Sequence, residues 1–286
     1  MTYDFTTPLP RTEEMIQKMS NFRDAGRYPQ DEHIDFLADD HVYLLDGVRR
    51  LLSVSSLIGH FFEPFDPQAA AKRQEMKTGL PAATFLEKWE RIGCLAREVG
   101  TFVHEQTENY FQHGRFETLF TFRYDHAEEQ VSVEHERQQF LQFVRDYEIE
   151  PYRQEWPVYD VSLNLAGTID MVCQEDDGSF SIYDWKRSSK VCDAYGHPYV
   201  QAFADKRSIN GINIPDTAYY HYCIQQNLYR YILQRNYGLR VDALNLVVLC
   251  PDYATYHVVP VPLMDELIRQ IVTFCKEEQL GIRLLK

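Results

Sequence analysis

The chain has 286 residues, with 29 basic and 43 acidic side chains and a formal net charge of −14. A hydrophobic fraction of 44% and an aromatic fraction of 14% allow a sizeable core and exclude a disordered polar chain. The negative charge excludes a uniformly basic coat for nucleic acid, but not a local basic site. Residues 1–185 carry 17 basic and 34 acidic side chains, whereas the remainder, which begins at Lys186, carries 12 and 9.

The cysteine spacing and the N-terminal residues indicate the cellular compartment. The two closest of the six cysteines, Cys173 and Cys192, are 19 residues apart, so a CxxC metal motif is absent from the sequence. The N-terminal residues contain acids and no apolar signal segment. No run approaches the ~18 apolar residues of a transmembrane helix. We therefore expect a cytoplasmic protein with free thiols and no membrane partner.

The first 150 residues are predicted to be mostly helical. Two extended runs flank Asp46-Gly47, which predicts a hairpin within residues 41–54. Ser53 or Ser55 is positioned to cap a short helix that ends near Phe62. Further helices are predicted over residues 11–24, 66–78, 82–113 and 134–149.

The pattern changes period after Pro151. Strands are predicted over residues 152–160, 165–175, 179–186, 241–250 and 254–260, a long loop over 187–217, and helices over 218–237 and 263–280. A loop of this length in a compact domain is usually functional. This order predicts an α/β fold in a single domain, 1–286: an N-terminal helical region, then a central mixed β-sheet flanked by helices, with 218–237 as a crossover helix.

Two carboxylates and a lysine mark the second and third predicted strands. Asp170 lies in a Gly-Thr-Ile-Asp segment of the second strand, and Asp184-Trp185-Lys186 ends the third. Period two places Asp184 and Lys186 on one face, and a tight turn makes the strands antiparallel neighbours, so Asp170 can lie near Asp184. Two adjacent carboxylates repel unless a cation separates them, and oxygen ligands suit Mg²⁺ or Mn²⁺. The pattern favours metal-assisted phosphodiester hydrolysis.

The short D/E-x-K pattern has an alternative interpretation as a solvated strand end. The chain contains a second copy, Glu75-Met76-Lys77, within a predicted helix. The acid that distinguishes the first copy is Asp170, because an acid within an otherwise apolar strand needs a partner.

The ordered motifs resemble the PD-(D/E)XK nuclease superfamily, in its RecB-like and Cas4-like exonuclease branch. Asp170, Asp184 and Lys186 match the central motif. Upstream, the segment from Gly100 to His104, followed by Glu108, resembles the helical GTxxH motif, and downstream Gln225 to Tyr229 resembles QxxxY. The resemblance spans residues ~41 to ~250 and implies a restriction-endonuclease-like core.

The resemblance also implies roles. His104, Asp170, Asp184 and the backbone carbonyl of Trp185 would bind Mg²⁺ or Mn²⁺. Lys186 would orient the attacking water or stabilise charge on the phosphate. Gln225 and Tyr229, one helical turn apart, would position the DNA backbone or the lysine. Glu108 shares a helix face with His104 and would contact the metal ligands rather than the metal itself.

One departure from the family concerns iron–sulfur chemistry. Cas4-like and AddB-like relatives hold a cluster with one upstream cysteine and three near the C-terminus. Here Cys94 lies upstream, but Cys275 is the only cysteine after Cys250, so we expect no iron–sulfur cluster. A Walker motif is absent from the sequence, and any helicase or recombination partner would be a separate polypeptide.

These observations predict a metal-dependent DNA exonuclease acting on single strands or DNA ends. The alternatives are a non-catalytic nuclease-fold protein that binds nucleic acid or a partner, which the net charge favours, and a hydrolase of smaller phosphoesters. Glu155 is interpreted as an exposed strand acid. Tyr195, Tyr199 and Phe203 in the long loop are expected to pack partly against the core, with stacking on single-stranded bases as the alternative.

Overall fold

The computed structural model describes residues 28–37 and 41–285. The predicted helix over 11–24 lies outside them. The described strands are β1 (Ile34–Leu37), β2 (Val42–Leu45), β3 (Arg49–Ser53), β4 (Leu119–Tyr124), β5 (Ala127–Ser132), β6 (Pro151–Asp160), β7 (Leu165–Gln174), β8 (Phe180–Lys186), β9 (Val241–Val248) and β10 (His257–Pro260).

The described α-helices are α1 (Val54–Gly59), α2 (Pro67–Thr78), α3 (Ala82–His113), α4 (Glu134–Tyr147), α5 (Ala218–Ile232), α6 (Asp265–Glu277) and α7 (Leu280–Arg283). The Ser53 cap on α1 is confirmed, because its side chain accepts a hydrogen bond from the backbone N–H of Ser56. Helix α5 continues as one π-helical turn, Leu233–Tyr237, so the predicted element over 218–237 is helical throughout. No helix in the described part of the chain is both long and apolar enough to cross a bilayer.

The fold is α/β, with a mixed central sheet flanked by helices. Its strands follow the order β1-β2-β3-β7-β8-β9-β10, and β6 pairs with β7 from the other side. Strands β8 and β9 are parallel, joined by the loop 187–217 and the crossover helix α5. Helices α3 and α4 pack on one face, and α1, α5 and α6 pack on the other.

Two elements in the N-terminal half differ from the prediction. Strand β1 adds a third strand to the predicted hairpin, and β4 and β5 form a separate antiparallel hairpin. The turn between β4 and β5 consists of Asp125 and His126, both with positive φ, at 46° and 63°. Two consecutive positive φ values are typical of a type I′ turn, which is usually recognised by Asn-Gly or Asp-Gly rather than Asp-His.

The two edges of β7 are occupied differently. Strand β6 pairs along one edge from Leu165 to Cys173. On the other edge, β3 pairs with Leu165 and Ala166, and β8 pairs from Met171 onwards. Among the described strands, none pairs with residues 167–170 on that second edge, so the sheet opens there.

Side-chain alternation along β7 breaks at Asp170. Ile169 packs in the apolar layer against α5, whereas Met171 packs in the layer against α3 and α4. In a regular strand, two residues this far apart share a face. The register places Glu155 of β6 opposite Asp170, and Glu155 has φ of 42°. Both carboxylates line the cleft at this irregular level of the two strands.

Candidate metal centre

The opening in the sheet forms the floor of a cleft with a volume of about 560 Å³. Strands β7 and β8 provide the floor, α3 and α5 provide two sides, and the N-terminal hairpin formed by β1 and β2 provides a third. Most of the residues singled out from the sequence line this cleft, namely His104, Glu108, Asp170, Asp184, Lys186, Gln225 and Tyr229. The topology therefore gathers residues that are up to 125 positions apart in the chain.

His104 of α3 is held against the ends of β7 and β8. Its Nε2 donates to the backbone carbonyl of Trp185 at 2.8 Å, since a carbonyl oxygen only accepts. Burial, followed by the nearby Lys186, lowers the pKa of His104 to about 4, so the imidazole is neutral. Its Nδ1 therefore presents a lone pair, 3.4 Å from Oδ2 of Asp170. A histidine that ligates a metal is usually oriented in this way, with its other nitrogen donating to a carbonyl.

Asp170 is positioned by the neighbouring strand. Its Oδ2 accepts a hydrogen bond from the backbone N–H of Trp185 at 2.9 Å. Burial raises the pKa of Asp170, while Lys186 and the Trp185 amide act in the opposite direction. The backbone of Trp185 thus fixes both proposed ligands, because its N–H binds Asp170 and its carbonyl binds His104.

Asp184 and Lys186 form an ion pair at the end of β8. Only 2% of the Asp184 side chain and 13% of the Lys186 side chain are exposed. Burial, together with Asp170, raises the pKa of Asp184 to about 6 against the opposing effect of Lys186. Burial alone would lower the pKa of Lys186, but the charges of Asp184 and Asp170 outweigh it and raise that pKa. The lysine is therefore a fixed ammonium.

The interpretation of Glu155 as an exposed strand acid was wrong. Its side chain is mostly buried and lines the cleft, and its carboxylate joins the group formed by His104 and Asp170. The ligand atoms of these three residues all lie within 4.8 Å of one another. Burial and the charge of Asp170 raise the pKa of Glu155 to about 9. The register of β6 against β7, which places Glu155 opposite Asp170, would have identified it. The predicted strand boundaries do not give that register.

Helix α5 closes the cleft on its other side. Gln225 Nε2 donates to the Tyr229 hydroxyl at 3.3 Å. The buried Oε1 of Gln225 has no hydrogen-bond partner among the described residues. Tyr222, three residues before Gln225, places its ring 4.3 Å from Lys186 Nζ, a cation–π contact that the sequence pattern did not predict. The face that carries the QxxxY pattern therefore also holds the lysine.

Gly167 is explained by the approach of Tyr229. A Cβ at position 167 would lie 2.6 Å from Cε1 and 2.9 Å from the hydroxyl of Tyr229, both closer than real carbon contacts. The glycine in the Gly-Thr-Ile-Asp segment thus permits α5 to lie directly on β7, beside the carboxylates.

Glu108 lies one helical turn after His104 and hydrogen bonds with Gln112. It lines the cleft, but it does not belong to the close group of His104, Glu155 and Asp170. Its charge contributes to the raised pKa of Glu155. Its position therefore fits a supporting group better than a direct ligand.

The loop 187–217 is largely irregular, as predicted, with one 3₁₀ turn, Phe203–Asp205. The expected partial packing of its aromatic side chains was wrong for Tyr195 and Phe203, whereas Tyr199 is partly covered. Tyr195 is 83% exposed, Phe203 is 90% exposed and Tyr199 is 44% exposed. The Arg187 guanidinium is engaged with the buried Glu136, at 2.7 Å.

The donor set fits a hard divalent cation. Three carboxylates and one neutral imidazole converge in a cleft. Burial raises the pKa of each carboxyl group, and the single nearby lysine only partly opposes this effect. A divalent cation bound to Asp170, Glu155 and Nδ1 of His104 would relieve that cost, and this donor set suits Mn²⁺ or Mg²⁺. Asp184 lies beside this group, in contact with Lys186.

No protein-family model and no curated protein matches the chain. Among solved structures, the chain is similar to one titled "Crystal structure of SSO0001", with 12% sequence identity and a TM-score of 0.32. The alignment covers 95% of this chain and 85% of that one.

Proposed function

We propose that the chain is a metal-dependent DNA exonuclease with a PD-(D/E)XK core of the RecB-like branch. The observation that carries the proposal is the convergence of His104, Asp170, Asp184 and Lys186 in one cleft. Chance copies of short motifs have no reason to meet, whereas phosphodiester hydrolysis needs carboxylates, a metal and a fixed cation together.

Each side chain has a task that its environment supports. Asp170, Glu155 and the lone pair of His104 Nδ1 would hold the cation, with Asp184 beside them. A bound divalent cation supplies Lewis-acid polarisation of the phosphate and lowers the pKa of water. Lys186, protonated and held by Asp184 and Tyr222, places a positive charge where the phosphate gains negative charge. Gln225, whose buried oxygen has no partner in the described part of the chain, is positioned to accept a hydrogen bond from water or substrate.

The non-catalytic alternative draws support from the net charge of −14, since a free nuclease gains from basic steering. The charge is unevenly distributed, however, because 34 of the 43 acids lie among the 185 residues that precede Lys186. A protein that only binds a partner has no need to bury three carboxylates and a lysine in one cleft, each at a cost in solvation. The arrangement therefore favours catalysis.

The test is digestion of end-labelled linear DNA with Mn²⁺. We expect Asp184→Asn and Lys186→Met to lose cleavage by at least about a hundredfold, the scale of losing one charge-stabilising group. Glu75→Gln and Lys77→Met are matched controls, because they make the same changes in the exposed copy of the D/E-x-K pattern, and they should cleave like wild type. A covalently closed circle should resist an exonuclease.

Equal digestion by wild type, Asp184→Asn and Lys186→Met would refute the proposed site. Cleavage of the closed circle would instead retain the hydrolytic site and replace the exonuclease by an endonuclease. Metal binding without cleavage of any linear DNA would favour the non-catalytic alternative.

A further inference from the structure

Three aromatic side chains from the N-terminal hairpin line the same cleft as the carboxylates. Phe36 at the end of β1, His41, and Tyr43 of β2 form this aromatic wall. The rings of Phe36 and Tyr43 are stacked, with centroids 4.6 Å apart and an interplanar angle of 24°. The ring of His41 meets Phe36 edge-on at 5.2 Å. The wall is therefore a packed unit rather than three separate side chains.

The aromatic wall is fixed to the strand that carries Asp170. The hydroxyl of Tyr43 is hydrogen-bonded to Oγ1 of Thr168 at 3.0 Å. Thr168 is two residues from Asp170 along β7, a separation of roughly 7 Å at the usual rise of a strand. Tyr43 is buried, Phe36 is half-buried and His41 is exposed, so the wall runs from the sheet outwards to solvent.

The two sides of the cleft differ in chemistry. One side has carboxylates and a lysine, and the other has aromatic rings. A nucleotide has the same division, with a charged phosphate at one end and an aromatic base at the other. The cleft volume of about 560 Å³ falls in the range of sites that enclose a small ligand. A simple phosphoester would leave the aromatic side unused.

We propose that the aromatic wall stacks on the base of the nucleotide next to the scissile phosphate. This inference rests on the proposed function and gives it a substrate form. A base within a duplex is covered on both faces by its neighbours, and a base at a duplex end is still paired along its edge, so either one must be freed from the duplex before it can enter a cleft beside a protein ring. The site therefore takes unpaired nucleotides, and a single-stranded end is its substrate. Stacking of this kind tolerates any base, since every base has an aromatic face.

The test compares two single-stranded oligonucleotides that differ only in a missing base at the nucleotide next to the cleaved bond. Wild type should cleave the abasic strand with a kcat/KM lower by roughly 5- to 100-fold, the range that stacking of one base supplies. Phe36→Ala should cleave both strands at similar rates, because the ring that distinguishes them is gone. Phe36→Trp should restore the preference.

Two further variants separate stacking from damage to the hairpin. Phe36→Leu keeps an apolar contact with Tyr43 but removes the aromatic face, so it should fold and still lose the preference. Phe203→Ala removes a phenyl ring that is 90% exposed in the loop 187–217 and does not line the cleft, so the preference should stay as in wild type.

The outcomes separate this inference from the proposed function. Equal cleavage of both strands by wild type, or an equal abasic penalty in wild type and Phe36→Ala, would overturn the aromatic wall and leave the nuclease intact. Loss of the preference in Phe203→Ala alone would move the stacking site to the loop. If wild type cleaves neither strand, the nuclease proposal fails, and fluorescence anisotropy of the same two strands decides whether Phe36 reads a base.

Discussion

The molecule contains the D/E-x-K pattern twice, and the two copies differ in secondary structure, burial and surroundings. Asp184-Trp185-Lys186 ends β8, a strand, where period two brings the acid and the lysine together. Glu75-Met76-Lys77 lies in α2, where residues two apart point in widely different directions. All three side chains of the helical copy are exposed, with Met76 at 80%.

The difference teaches that burial, rather than the pattern, gives these residues unusual chemistry. In the strand copy, burial raises the pKa of Asp184, and the neighbouring carboxylates raise the pKa of Lys186. The helical copy is surrounded by water, which screens its charges at almost no energetic cost. The charges of the strand copy are buried without a prohibitive cost because Asp184 and Lys186 pair with each other. A bound cation would add a further positive partner for the carboxylates.

The largest expected effect concerns metal affinity. Asp170→Asn should weaken Mn²⁺ binding by at least about a hundredfold, because removal of one ligand from a small site of hard oxygen donors loses most of its electrostatic attraction. Glu75→Gln removes the same kind of charge from the helical copy and should bind Mn²⁺ like wild type. Isothermal titration calorimetry gives both affinities. Equal affinities for Asp170→Asn and wild type would place the metal elsewhere.

The next effect is a pH dependence of stability in the absence of metal. Burial and Asp170 raise the pKa of Glu155 to about 9, above its value in the unfolded chain. Between pH 5 and pH 9 the folded state therefore retains a proton on Glu155 that the unfolded state has released, so the contribution of Glu155 to stability falls as the pH rises. The lowered pKa of His104 acts in the opposite direction below about pH 7, so the decrease is measured above that pH. A pKa that differs by one between the folded and unfolded states corresponds to about 1.4 kcal/mol. Because water reaches the cleft and screens its charges, we expect a total decrease in the free energy of unfolding of about 2–3 kcal/mol.

Urea denaturation in a chelating buffer at several pH values measures this decrease. Glu155→Gln should flatten the dependence, because glutamine does not titrate. Glu75→Gln should leave it unchanged, since Glu75 lies in the exposed copy. A wild-type stability that does not fall between pH 7 and pH 9, where His104 is neutral in both the folded and the unfolded chain, would mean that Glu155 is ionised throughout in the folded protein.

The sequence was sufficient to predict the main elements that position the site. Periodicity and turn residues predict helix α3 with His104 and helix α5 with Gln225, and also strands β7 and β8 with the tight turn between them. The facing of Asp170 and Asp184 follows from the antiparallel register of that hairpin. These are local patterns, in which the spacing of side chains along one or two elements determines their direction.

The features that the sequence did not predict depend on contacts between distant segments. Glu155, at a positive φ in β6, lies opposite the point in β7 where side-chain alternation breaks, which regular strand geometry does not anticipate. The aromatic wall depends on Tyr43 reaching Thr168, 125 positions later in the chain. No sequence motif distinguishes Tyr222 from the other tyrosines of its helix, and its role follows only from the contact of its ring with Lys186 in the fold.

A smaller effect is expected at Gly167, where the floor of the cleft meets α5. Gly167→Ala would force the new carbon against the Tyr229 ring, at 2.6 Å, and overpacking of this kind costs about 1–3 kcal/mol of stability. Gly59→Ala is the matched control, because a Cβ there meets nothing within 4 Å. Thermal unfolding of the two variants separates them. Wild-type stability in Gly167→Ala would show that Tyr229 is free to move away from β7.

The smallest effect is expected in the helical copy of the pattern. The double variant Glu75→Gln, Lys77→Gln should change the free energy of unfolding by less than about 0.5 kcal/mol, as is usual for exposed positions without special contacts.

The corresponding double variant in β8, Asp184→Asn, Lys186→Met, removes both partners of a buried ion pair, which can be neutral or even stabilising because two desolvated charges disappear together. Asp184→Asn alone leaves Lys186 buried beside an uncharged amide, so it should be less stable than the double variant. Chemical denaturation of these three variants and of Lys186→Met alone measures this order, and additive effects of Asp184→Asn and Lys186→Met would show that the two charges do not depend on each other.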